Sequence, residues 1–112
     1  MIKDNPWIMV GALAIENNNY NHAKRLAHCV RGAERLGVSW SDIISLSRKA
    51  DIVDARRLCC SYLYDHAWTL KKIAKELGYE NHTSVLYQKN KTQEFLKIDK
   101  TFQWKYTLFH NA

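Results

Sequence analysis

Only one proline and four glycines are spread over the 112 residues of the chain. This scarcity of turn-forming residues favours helices joined by short loops and disfavours a strand-rich fold. A chain of this length is expected to fold as one domain, burying roughly 60–70% of the surface that its unfolded form exposes. The sequence therefore predicts a single small all-α unit.

Basic residues exceed acidic ones by 17 to 11, which gives a formal net charge of +6. They are concentrated in three stretches, 24–35, 48–57 and 71–75. A basic surface of this kind favours an acidic partner such as nucleic acid, although charge runs also occur simply as solvated faces.

The three cysteines, Cys29 and the adjacent pair Cys59 and Cys60, form an odd set. Because neighbouring residues on a helix point apart, the pair is interpreted as reduced core residues. The sequence has no CxxC or HxxxH spacing, so we expect no metal site and no cofactor.

The N-terminal third is predicted to form a helical hairpin over residues 1–38. Asn5 and Pro6 are a helix-start signal, and the apolar run WIMVGALAI (7–15) is interpreted as a buried helix ending near Glu16 rather than as a signal peptide. The polar run NNNYN (17–21) is expected to break it. A second helix follows, with Ala23, Leu26, Ala27, Val30 and Ala33 on one face and Gly37 as its stop. No segment is long enough to span a membrane.

The middle of the chain alternates caps, loops and helical periodicity. Ser39 or Ser41 can cap a short helix, and residues 47–51 are predicted to be a basic loop. From Ile52 the apolar spacing is helical again, through Ala55, Cys59, Tyr62 and His66, with Arg56 and Arg57 towards one edge.

A helix-turn-helix is predicted next. Thr69 caps a helix that Gly78 ends, and a second helix starts at Asn81, with Ala74 allowing the two helices to approach closely. The short polar residues at the tip of the second helix would reach base edges in a major groove, although such a first turn also occurs in helices that bind no DNA. The aromatic stripe Phe102, Tyr106 and Phe109 predicts a closing helix after an Asp99 cap, with a dimer contact as the alternative.

Two separated stretches, IISLSRKADIVDARRL (43–58) and TLKKIAKELGYENHTSVLYQKNK (69–91), resemble the C-terminal DNA-binding domain of the bacterial replication initiator DnaA. The family signature, approximately G-G-R-D-H-[ST]-T-V-L, is matched or nearly matched by Gly78 and by residues 82–86. The resemblance covers about residues 39–98. It implies that Arg48 or Lys49 enters a minor groove and that Arg57 holds a phosphate. It also implies base reading by His82, Thr83 and Ser84, and backbone contacts by Lys71 and Lys91.

The chain also departs from the family pattern. Glu80 and Asn81 replace Arg-Asp, so a cation becomes an anion and an acceptor becomes an amide suited to adenine. Tyr79 stands at the second glycine and Gln88 at a small alanine, which predicts a reshaped turn. No G-x-x-x-x-G-K-[ST] motif occurs in these residues, so no nucleotide is expected.

The sequence thus predicts an all-α protein, of the DnaA C-terminal or Trp-repressor-like type, that binds double-stranded DNA in replication or regulation of a bacterial or mobile-element genome. The divisions expected are the hairpin (1–38), the DNA-binding part (39–98) and a closing helix (99–112). We expect no enzymatic activity and a cytoplasmic, nucleoid-associated location. The alternative is a helical protein-interaction module that binds or self-associates through the hairpin or the aromatic helix. The predicted base-reading residues are Asn81, His82, Thr83 and Ser84, and the predicted backbone or minor-groove residues are Arg48, Lys49, Arg56, Arg57, Lys71, Lys72 and Lys91.

Overall fold

The computed structural model describes the backbone of residues 6–112 and the side chains of residues 20–112. Six helices follow one another along the described chain, and no strand occurs in it. They are α1 (Pro6–Arg35), α2 (Trp40–Ile43), α3 (Ala50–Asp65), α4 (Leu70–Leu77), α5 (His82–Ile98) and α6 (Lys100–His110). The predicted all-α class is confirmed.

The N-terminal hairpin prediction is wrong, because α1 is one continuous helix of 30 residues. The run NNNYN does not interrupt it. Asparagine lowers helix stability by only a fraction of a kcal/mol per residue, about 0.7 at most, whereas glycine or proline would be needed for a strong stop. The helix begins at Pro6 as expected, while the Asn5 cap lies outside the described residues.

The C-terminal half of α1 packs on the rest of the molecule through a face that only partly matches the one predicted, since Leu26 of that face packs against the core. Cys29 and Ala33 are buried, whereas Ala23 and Ala27 are exposed. Gly37 follows the helix with φ +77°, the left-handed conformation that ends helices at glycine, so this stop is confirmed. The side chains of residues 7–15 lie outside the described part, and their burial stays a prediction.

Helix α3 is the centre of the core, with α1, α2, α4, α5 and α6 all packed against it. Its predicted apolar stripe is buried at Ile52, Ala55, Cys59 and Tyr62, but the stripe stops before His66, which is exposed. The three cysteines are buried and unpaired, as expected of reduced core residues. Burial raises the pKa of Cys60 to about 12, so this thiol is held in its neutral form.

Helix α6 closes the molecule, as the aromatic stripe predicted. The Asp99 carboxylate caps it by accepting from the Phe102 N–H at 3.0 Å, and Phe109 is fully buried. The Phe109 ring lies directly over Gly32 of α1, where an added Cβ would meet the ring at 2.5 Å. Only glycine therefore allows the two helices this close an approach.

An ion pair joins α6 to α3. Lys105 Nζ lies 3.0 Å from an Asp51 oxygen and 2.9 Å from an Asp54 oxygen. Burial would lower the pKa of Lys105, but the hydrogen bonds and charges of Asp54 and Asp51 prevail and raise it. Among the described residues no helix is long and apolar enough to cross a bilayer.

Candidate nucleic-acid interface

The turn between α4 and α5 is built from the caps that the sequence predicted. Thr69 Oγ1 accepts from the Lys72 N–H at 3.2 Å and Asn81 Oδ1 accepts from the Ser84 N–H at 3.2 Å. Gly78 has φ +81°, and the N–H of Tyr79 donates to Ala74 O at 2.9 Å. The helix-turn-helix prediction is confirmed.

The turn is in contact with the loop between α2 and α3, here called the basic loop (residues 44–49). The loop predicted at 47–51 thus begins three residues earlier, and its last two residues belong to α3. A Cβ added at Gly78 would lie 2.8 Å from Ile44 O. Glycine is therefore required at position 78 for two reasons: the backbone conformation is left-handed, and the Ile44 carbonyl leaves no space for a Cβ.

A surface groove of about 1010 Å³ runs between the basic loop and the first turns of α5. The loop contributes Arg48 to its wall, and the helix contributes Asn81, Thr83 and Ser84. Two parts of the chain that the sequence could only suggest as neighbours thus face the same opening. A second hollow, of about 370 Å³, lies on the other side of Asn81 and is lined by Lys71, Lys75, Tyr79, Glu80 and His82.

Arg56 is buried, contrary to the prediction that it lies at an exposed edge ready for the DNA backbone. Its side chain donates to four backbone carbonyls: Ile43 O at 2.7 Å, Ser45 O at 2.9 Å, and Asp42 O and Ser47 O at 3.2 Å each. The residue is only 8% exposed. Arg56 therefore holds the basic loop in shape and is not available for a phosphate in this arrangement.

Arg57 is also engaged, although less completely. Its Nε donates to Gln88 Oε1 at 2.6 Å, its Nη1 lies 3.7 Å from Asp54, and its guanidinium lies 5.0 Å from the centre of the Phe95 ring. Gln88 stands where the family pattern has a small alanine, and its hydrogen bond with Arg57 links α5 to α3. Arg57 would have to share or leave these partners to contact a phosphate.

Two of the predicted backbone lysines have partners of their own. Lys72 Nζ lies 2.6 Å from the nearer ring nitrogen of His22 and 4.6 Å from the centre of a Trp68 ring. Lys91 pairs with Glu94 at 3.1 Å on the surface of α5. In contrast, Arg48, Lys49, Lys71 and Lys75 are exposed and form no ion pair with any carboxylate in residues 20–112.

Tyr79 fills the position where the family pattern has a second glycine. Its half-buried ring packs against the core, and burial first of all, together with Cys60, raises its pKa. Its buried hydroxyl has no hydrogen-bond partner among the described residues. The turn still has the left-handed backbone conformation at Gly78. The tyrosine therefore fits into the turn because its ring packs into the core.

The sequence reasoning missed the two large, exposed apolar side chains of the groove, Leu46 and Tyr87. Leu46 is 91% exposed in the basic loop, and Tyr87 is 53% exposed one turn beyond Thr83 on α5. The helical spacing from Thr83 and Ser84 could have identified Tyr87, since residues three and four apart share a face. Nothing periodic in the sequence points to Leu46.

A helix-turn-helix with a polar helix tip, beside a basic loop held by Arg56, is the arrangement typical of DNA-binding helix-turn-helix proteins. The family model described as the bacterial DnaA protein helix-turn-helix matches residues 32–92. The chain therefore belongs to the bacterial DnaA helix-turn-helix family.

The chain is also similar to the chromosomal replication initiator protein DnaA of Gloeobacter violaceus. The two are 40% identical over 62 residues, which is 54% of this chain and 14% of that protein. No solved structure matches the chain. No group of three or more histidine, cysteine, aspartate or glutamate side chains in residues 20–112 is placed to hold a metal ion.

Proposed function

We propose that the chain binds double-stranded DNA with the N-terminus of α5 in the major groove and the basic loop in the adjacent minor groove. The groove that brings Arg48 to Asn81, Thr83 and Ser84 is the observation that supports this docking. Residues 39–98 would form the DNA-reading part, with α1 and α6 packed behind it on α3. The function is one of binding, with no catalytic step.

The residue roles divide according to exposure. Asn81, His82 and Thr83 are exposed at the tip of α5 and Ser84 is half-buried there, so their side chains can reach base edges. Phosphate and minor-groove contacts fall to the exposed cations Arg48, Lys49 and Lys71, because an electrostatic contact needs a side chain that can approach the backbone. Lys91 would exchange Glu94 for a phosphate, a small cost for a surface pair.

The biological setting we propose is replication, or regulation, of a bacterial or mobile-element genome. It rests on the family and on the similarity to a chromosomal replication initiator protein. Since the chain matches only 14% of that protein's length, initiation itself is proposed only as the process that this binding serves.

The test is selection from a pool of duplexes with randomised centres, with binding followed by fluorescence anisotropy at low and at physiological salt. His82→Ala should blur the enriched motif and cost about 1–3 kcal/mol on the preferred site, with little effect on other sequences. Lys71→Ala is the matched control: it should weaken binding to all duplexes alike and reduce the salt slope by about 1.

The two variants separate base reading from backbone contact. Equal losses on every sequence for both variants would refute base reading by the tip of α5. Binding without any enriched motif would leave a general DNA-coating protein. Neither substitution touches the Asn81 cap bond, so both proteins should fold.

A second candidate function is protein binding by the same fold. Trp104 on α6 is 61% exposed and Ile98 at the end of α5 is 79% exposed, so each offers a large apolar side chain to a partner. The acidic Glu80 at the tip of α5 also fits a surface that does not face phosphate. Absence of DNA binding even at low salt would favour this candidate.

A further inference from the structure

The cap bond of α5 fixes the orientation of the Asn81 side chain. Its Oδ1 accepts from the Ser84 N–H at 3.2 Å, with φ −143° and ψ 162° at Asn81. Only the carbonyl end of the amide can accept from an N–H, so the oxygen faces the helix. The Nδ2 group, with two donors, makes no hydrogen bond to any residue that the structure describes and is the end left for a ligand.

Asn81 also occupies the position where the two hollows of the interface meet. It lines the groove with Arg48 and Thr83 on one side and the lysine-lined hollow with His82 on the other. A duplex docked as proposed would therefore bring a base edge to the exposed face of this residue. The inference that follows rests on the proposed function.

The two ends of the amide decide which base fits. Reading of adenine by asparagine needs the oxygen and the nitrogen together, to accept from N6 and donate to N7. With the oxygen bound to the Ser84 N–H, the two Nδ2 donors are the groups of the amide that remain for a base in the groove that Asn81 lines. Guanine presents two acceptors there, O6 and N7, whereas cytosine presents only the N4 donor.

We infer that Asn81 is a specificity-determining residue that selects guanine at the base it faces and discriminates against cytosine. The capping hydrogen bond is the cause, since it converts an amide with both kinds of group into a donor. The adenine preference expected from the sequence assumes an amide that is free at both ends.

Asn81→Asp tests this inference with little structural change. Aspartate caps helices about as well as asparagine, and its charge is favoured at a helix N-terminus. The substitution replaces the Nδ2 donors by an acceptor oxygen. In the randomised-duplex selection, one position of the enriched motif should change from guanine to cytosine, with the guanine-to-cytosine ratio falling by about 5-fold or more.

Two further variants serve as controls for this test. Asn111→Asp makes the same chemical change at the exposed end of α6 and should leave every position of the motif unchanged. Asn81→Ser keeps a capping oxygen but supplies one short hydroxyl that can donate or accept, so the guanine preference should flatten without reversing. Overall affinity does not decide the matter, because Asn81→Asp adds a negative charge that weakens binding to every duplex.

The outcomes distinguish this inference from the proposal on which it rests. A wild-type motif that keeps the same base at every position in Asn81→Asp, or that has no guanine at the affected position, would overturn the role of Asn81 and leave DNA reading intact. A wild-type selection with no enriched motif would overturn both.

Discussion

Arg56 offers the sharpest test of how the interface is held together. The guanidinium makes four hydrogen bonds to carbonyls of residues 42–47, through Nε, Nη1 and twice through Nη2. Arg56→Lys keeps the positive charge. However, the three donors of lysine lie on one nitrogen, whereas the donors of the guanidinium are spread over three nitrogens. At least one of the four carbonyls must lose its partner, and the spread of the four acceptors makes two the expected number.

The magnitude follows from the strength of such bonds. A hydrogen bond to a charged group contributes about 1.5–3 kcal/mol net. Two lost bonds would cost twice that figure, but the loop is partly exposed and water can replace some of the loss. We expect Arg56→Lys to lower the free energy of unfolding by about 2–4 kcal/mol.

Urea denaturation followed by far-ultraviolet circular dichroism measures this change, and amide hydrogen exchange of residues 44–49 reports on the loop itself. Arg48→Lys is the matched control, because Arg48 is exposed in the same loop and its replacement should leave stability unchanged. DNA binding should also weaken in Arg56→Lys, because the loop that carries Arg48 along the groove loses part of its support.

The reasoning would be refuted if Arg56→Lys unfolded at the same urea concentration as the wild type and its loop amides kept their protection. Loss of stability without any loss of loop protection would show that Arg56 acts on the core rather than on the loop.

Three further outcomes are expected. Gly32→Ala should cost about 1–3 kcal/mol in a urea titration, because its Cβ would meet the Phe109 ring at 2.5 Å, and Phe109→Leu should recover part of that loss in the double variant. Gly78→Ala should destabilise by more than about 1 kcal/mol and disturb the basic loop, since it forces φ +81° on alanine and places a methyl 2.8 Å from Ile44 O; unchanged stability would contradict this. Burial, and after it the charges of Arg31 and His110, lower the pKa of His28 below its ordinary value of 6.5. As the pH falls, the unfolded chain therefore takes up a proton at this histidine before the folded chain does. Stability should fall until the pH has dropped through the folded-state pKa. Thermal melts from about pH 7 to pH 5 should show that loss and His28→Gln should reduce it, whereas the same slope in both proteins would rule out His28 as its source.

Local signals in the sequence were sufficient for the helix boundaries around the interface. Thr69, Gly78, Asn81 and Asp99 act on backbone groups within five residues of themselves, so their roles as caps follow from residue type and position. The same reasoning failed at residues 17–21. There it treated asparagine as a helix breaker, although its propensity is only slightly unfavourable and α1 continues through it.

The family motifs in the sequence were sufficient to identify a DNA-binding helix-turn-helix, because the signature lies within one continuous stretch of the chain. They could not separate Arg56 from Arg57. Adjacent residues on a helix point about 100° apart, and which of the two turns inward depends on what packs against the helix. The carbonyls of residues 42–47 settle the question for Arg56, and they come from another element.

What the sequence determined by itself was therefore the helical class, the caps, the turn glycine and the polar tip of α5, all of which depend on residues close together in the chain. Tertiary structure alone decided that the basic loop faces that tip, that Arg56 is buried beneath the loop, and that Gln88 holds Arg57. Arg56 and Ser47 are 9 positions apart in the chain, and Arg57 and Gln88 are 31 positions apart. The basic loop and the tip of α5 are separated by still more residues. Contacts over such separations depend on how whole helices pack, which no short pattern of residues encodes.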